Sequence, residues 1–99
     1  LEETDPHGAL RVSLECVELG ERLLEKNDPQ LGIVLSNLGR AYKNIGDSKQ
    51  AIGCYKRSYS IYSTTLGSNH PKTIKVQELL MELGEIGVED SPKDLRTIM

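Results

Sequence analysis

Apolar residues recur at three- and four-residue intervals along most of the chain, and residues that start or stop helices bracket each such stretch. After Asp28-Pro29, the positions Leu31, Val34, Leu35, Leu38, Ala41, Tyr42 and Ile45 trace one face at the helical period. Proline suits the first helical position, where a missing N–H costs nothing, and the Asp before it is an N-cap. Gly46 supplies a stop, because glycine takes the left-handed conformation without strain. Asp47, with Gln50 three residues on, makes a capping-box-like start for a second helix. That helix carries Ala51, Ile52, Tyr55, Tyr59, Ile61, Tyr62 and Leu66, apolar over a wide arc, and Leu66-Gly67 ends it.

The same punctuation predicts a helix on either side. Asp5-Pro6 opens one that reads Leu10, Leu14, Val17 and Leu24, with Cys16, Leu19 and Leu23 widening its apolar face. His70-Pro71 opens another that reads Val76, Leu79, Leu80, Leu83 and Ile86. Ser91-Pro92 resembles a further start with room for barely two turns before Met99. No strand-like alternation interrupts these helical stretches. The expectation is an all-α chain of about four helices plus a short C-terminal helix. Its connections are short, and short connections force antiparallel neighbours, so the helices should stack as hairpins.

The chain also repeats. Pro29 and Pro71 stand 42 residues apart (71 − 29 = 42), and at that offset Asp5, Ala9, Leu24 and Asn27 recur as Asp47, Ala51, Leu66 and Asn69. Val34 and Leu38 recur likewise as Val76 and Leu80. One domain over 1–99 is expected. It divides into the second helix of a partial repeat (5–26), a complete hairpin (29–66) and a degenerate closing repeat (71–99). The partial first repeat suggests a piece of a longer array.

Composition narrows the function. The formal net charge is −3, with acidic and basic residues interspersed, whereas a protein that tracks phosphates carries a clustered basic excess. Nucleic acid is therefore not an expected partner. No run approaches the ~18 apolar residues of a membrane span, so no membrane partner is expected either. Cys16 and Cys54 lie far apart within apolar-periodic stretches and read as small buried hydrophobes in a reduced, intracellular (cytoplasmic) setting. Neither His7 nor His70 joins a Cys/His cluster, so no metal site is expected. No nucleophile–base set, phosphate-cradling glycine loop, HExxH or CxxC occurs; no catalytic residue and no cofactor is expected.

Leu35, Leu38, Gly39 and Tyr42, then Gly46, then Ala51 and Tyr55 form a pattern of small and large residues across a helical hairpin. With the run Tyr55–Tyr62 and the following Leu66-Gly67-Ser68-Asn69-His70-Pro71, this segment resembles the tetratricopeptide repeat in its longer, kinesin-light-chain-like form. Gly39 and Ala51 would be small where the two helices cross, with Tyr42 and Tyr55 filling the space around that contact. The closing unit departs from the pattern, since Met81, Gly84 and Lys93 stand where Gly39, Tyr42 and Ala51 stand in the complete repeat.

The resemblance implies a non-catalytic protein–protein interaction module whose first helix in each hairpin lines a concave groove for a peptide or helix of a partner protein. Carried over by residue, the groove-facing positions are Ile33, Ser36, Asn37, Arg40, Lys43 and Asn44. They recur at threes and fours, away from the Leu35/Leu38/Tyr42 stripe. An amide such as Asn37 donates and accepts together and so suits a partner's backbone. Arg40 and Lys43 favour an acidic peptide. Set against this, Arg40 and Lys43 could pair across neighbouring helices with Glu78, Glu82 or Glu85. The alternative functions are an assembly element that self-associates through its open first helix, and a regulatory appendage of a larger enzyme.

Overall fold

Each helix begins at a residue whose side chain satisfies an otherwise orphaned backbone N–H. In the computed structural model, which describes residues 5–84, four helices follow in order: α1 (Pro6–Leu23), α2 (Pro29–Asn44), α3 (Ser48–Thr65) and α4 (Pro71–Glu82). The Asp5 and Asp28 carboxylates accept from the His7 and Gln30 amides at 3.1 and 2.8 Å, each with Pro at the first helical position. His70 caps α4 in the same way, its Nδ1 accepting from the Lys72 amide at 3.0 Å. The cap role of this histidine accounts for its place before Pro71. The expected further helix at Ser91-Pro92, and the apolar position Ile86, lie outside the described residues.

The turn between α2 and α3 uses both of its signals, though not in full. Gly46 adopts φ +88°, and the Asp47 amide donates to the Tyr42 carbonyl at 2.9 Å while the Gly46 amide donates to that of Lys43 at 3.0 Å. This double closure satisfies the last carbonyls of α2. It also engages the Asp47 N–H, so only the forward half of a capping box forms, with Asp47 Oδ1 accepting from the Gln50 amide at 3.2 Å.

α2 and α3 form the tight central hairpin, and two glycines set its closeness. A Cβ on Gly39 would lie 2.7 Å from Cε1 of Tyr55, and a Cβ on Gly32 would lie 2.6 Å from Cε1 of Tyr62. Two rings seven residues apart on α3 thus rest against two bare backbone sites seven residues apart on α2. Ser58, between the rings and fully buried, donates to the Gly32 carbonyl at 2.8 Å. Ala51 is fully buried in the apolar cluster that these two rings join.

Two apolar clusters flank this hairpin. On one side Val17 of α1 meets Leu31, Leu35 and Leu38 of α2 and Cys54 and Ile61 of α3. On the other, Ala51, Tyr55 and Tyr62 meet Val76 and Leu80 of α4, with Tyr42 bordering both clusters. Fully burying a side chain such as Leu35 or Val76 stabilises the fold by about 1.5–3 kcal/mol. An exposed ion pair, Arg57 to Glu21 at 2.6 Å, ties α3 to α1.

Candidate partner-binding face

Because α3 and the two clusters claim the Leu31/Leu35/Leu38 side of α2, the opposite arc is left outward. Ile33, Asn37, Arg40, Lys43 and Asn44 are exposed and Ser36 is half-buried. At 3.6 residues per turn these six positions span an arc of roughly 120°. α1 borders one edge of that arc and α4 the other, so the six residues do not line a single groove.

On the α1 edge, Asn37, Arg40 and Asn44 line a groove of about 340 Å³, walled by Val34 and Ala41 of α2 and by Ala9, Val12, Ser13 and Cys16 of α1. On the α4 edge, Ile33 and Ser36 line a second groove of about 290 Å³ with Tyr62, Pro71, Lys72, Lys75 and Val76. Lys43 lines neither. Its ammonium lies 3.5 Å from a Glu82 carboxylate oxygen, both side chains well exposed. One of the cross-helix pairs open from the sequence is therefore made, while Arg40 remains outward beside the first groove.

The α4 edge is electrically polarised, with Lys72 and Lys75 on the first two turns of α4 and Glu78 and Glu82 further along. Lys72 was not among the expected groove residues, nor were Pro71 and Tyr62. The 42-residue offset held a usable signal, for it aligns Ile33 with Lys75 and so sets the start of α4 beside the start of α2.

Beneath the face lies Tyr55, 1% exposed, whose hydroxyl has no hydrogen-bond partner among the described residues. Burial pushes its pKa up, the positive charge of Arg40 opposes that rise, and the negative charges of Glu82 and Cys54 add to it. Burial likewise raises Tyr62, opposed by its hydrogen bond with Ser58, and raises the Cys54 thiol, opposed by Arg57. Cys54 is thus a buried, weakly ionising thiol. Cys16 departs from expectation: it is exposed, because α1 turns Val17 and Gly20 towards α2 and Cys16 lies one helical step, about 100°, off Val17. Leu19 and Leu23, expected to widen the apolar face of α1, are also outward, and so is Leu14, expected on its main stripe. Among the described residues no cluster of three potential metal ligands occurs, and no helix is long and apolar enough to cross a membrane.

A family model for the tetratricopeptide repeat matches residues 2–64, which takes in α1, α2 and nearly all of α3. The chain belongs to the tetratricopeptide repeat family. No curated protein and no solved structure matches it. Tetratricopeptide repeats generally mediate protein–protein interaction and are typically non-catalytic. Within this repeat protein, α2 and α3 pair as a hairpin and α1 packs on α2 ahead of it. α4 packs on α3 beyond the matched residues.

Proposed function

We propose that this chain is a non-catalytic scaffold module that holds an acidic peptide or helix of a partner protein against the outward arc of α2. The observation that carries this reading is the open polar arc itself, flanked by a groove on each side and buttressed from behind by a buried hairpin. Asn37 and Asn44 supply paired donor–acceptor amides for a partner's backbone, Ile33 supplies an apolar contact, and Ser36 a hydroxyl. Arg40, Lys72 and Lys75 supply the positive charge. Lys43 contributes less, since Glu82 already offsets its charge. The 42-residue spacing supports the longer, kinesin-light-chain-like form of the repeat.

Peptides selected by display on the immobilised chain test this. Acidic sequences should be enriched, and Asn37→Ala with Arg40→Ala should weaken their binding about tenfold, or about 1.4 kcal/mol, with the helical circular-dichroism signal intact. Equal binding by parent and variant would remove Asn37 and Arg40 from the site.

A further inference from the structure

Of the helix caps described above, one depends on the protonation state of its side chain in the range near neutrality. Asp5, Asp28 and Asp47 offer carboxylate oxygens to the His7, Gln30 and Gln50 amides. His70 stands at the 42-residue counterpart of Asp28 (70 − 28 = 42) and instead offers imidazole Nδ1 to the Lys72 amide at 3.0 Å. A ring nitrogen accepts a hydrogen bond only while it carries no proton, and in the imidazolium ion both nitrogens are donors. The Lys72 N–H would then face a second N–H rather than a lone pair.

The groups around this end of α4 offer an imidazolium nothing to pair with. Lys72 and Lys75 follow on α4 itself, both positive. α2 borders the first turns of α4 with Ile33 and Ser36, and α3 with Tyr62, whose hydroxyl burial keeps protonated. Gly67, Ser68 and Asn69 of the preceding connection carry no ionisable side chain. The Gly67 carbonyl already accepts from the His70 amide at 3.3 Å and from the Thr73 hydroxyl at 2.8 Å. Among the described residues no carboxylate pairs with His70. A charged ring here would sit at the positive end of the α4 dipole, on the same turns as two ammonium groups.

We infer that the His70–Lys72 bond is a pH-sensitive latch on the start of α4, made by the neutral imidazole and released in mild acid. Release follows as pH falls below about 6.5, where histidine side chains ordinarily become charged. What the latch holds is one wall of a groove, since Pro71, Lys72, Lys75 and Val76 of the first turns of α4 face Ile33 and Ser36 of α2 across it. The α2 wall starts from a carboxylate cap, and carboxylates ordinarily stay ionised down to about pH 4. Mild acid therefore loosens the α4 wall and leaves the α2 wall capped.

Exchange of the Lys72 and Gln30 amides with water tests the inference, read by NMR from about pH 7.5 to about pH 5.5 and expressed relative to the unstructured rate at each pH. Protection at Lys72 should fall about fivefold over that range, the loss expected for one N-cap, while Gln30 keeps its protection. His70→Asn retains a side-chain acceptor suited to an N-cap but has no titrating group, so it should hold Lys72 protected throughout. A parent whose Lys72 amide stays equally protected at the acid end overturns the inference. So does an equal loss at Gln30, which would mark a general loosening by acid. A His70→Asn chain that loses Lys72 protection to the same extent overturns it as well, because the imidazole would then not be the sensor.

Discussion

What a single added methyl group would meet separates Gly32 and Gly39 from Gly53. At Gly39 and Gly32 it would press on the buried rings of Tyr55 and Tyr62, whereas at Gly53 nothing lies within 4 Å. Gly39→Ala and Gly32→Ala should therefore each destabilise the fold by about 1–3 kcal/mol despite alanine's better helix propensity. Gly53→Ala, in the interior of α3, should stabilise it by about 0.8–1 kcal/mol. Urea unfolding of the three variants checks the contrast. The buried hydroxyls and thiol give a second prediction. Tyr55, Tyr62 and Cys54 all have folded pKa values raised by burial, so the folded state holds their protons more tightly than the unfolded chain does. Their contribution is fully present below the unfolded pKa values and is lost as pH climbs through the raised ones. Stability should thus fall above pH ~9, and Tyr55→Phe should blunt that fall without loss at neutral pH. Thermal melts at rising pH measure both. The sequence made Gly39 legible, because it sits in a known pattern of small and large residues. Gly32 was hidden: its signal is the shared seven-residue spacing of Gly32/Gly39 and Tyr55/Tyr62, which has meaning only once the two helices are known to run antiparallel.

Helix boundaries were the most legible feature of the elements because caps are local chemistry. Asp5, Asp28, Asp47 and His70 each act within three residues of their own position, so no knowledge of the fold was needed to find them. Removing one should cost a correspondingly local amount. Asp28→Ala deletes the bond to the Gln30 amide and should lower stability by about 1 kcal/mol, read from the shift in denaturation midpoint. Glu21→Ala should cost less than about 1 kcal/mol, because its pair with Arg57 is well exposed. Faces were less legible than ends. Apolar periodicity marked Val17, Leu35 and Val76 for the core correctly, yet the same rule drew Cys16 and Leu23 inward. Periodicity says which residues share a side of a helix. It does not say whether a neighbour covers that side, and among the described residues α1 is covered only on the side turned to α2.

At the scale of the whole molecule, the all-α hairpin stack followed from sequence, while the division of its candidate site did not. Six positions on α2 share an arc by periodicity alone. The docking of α1 at one edge and α4 at the other assigns Asn37, Arg40 and Asn44 to one groove and Ile33 and Ser36 to another. The docking also brings Glu82 to Lys43, which redirects the basic character of the face towards Arg40, Lys72 and Lys75. A membership in the tetratricopeptide repeat family and an outward polar arc together make the central claim, that partners are held on α2. Backbone amide shift mapping by NMR, with a display-selected acidic peptide titrated into the labelled chain, tests it most directly. The largest shifts should fall at Ile33, Ser36, Asn37 and Arg40 and at Lys72 and Lys75. Shifts confined to the outer side of α3, around Lys49 and Gly53, would contradict the claim.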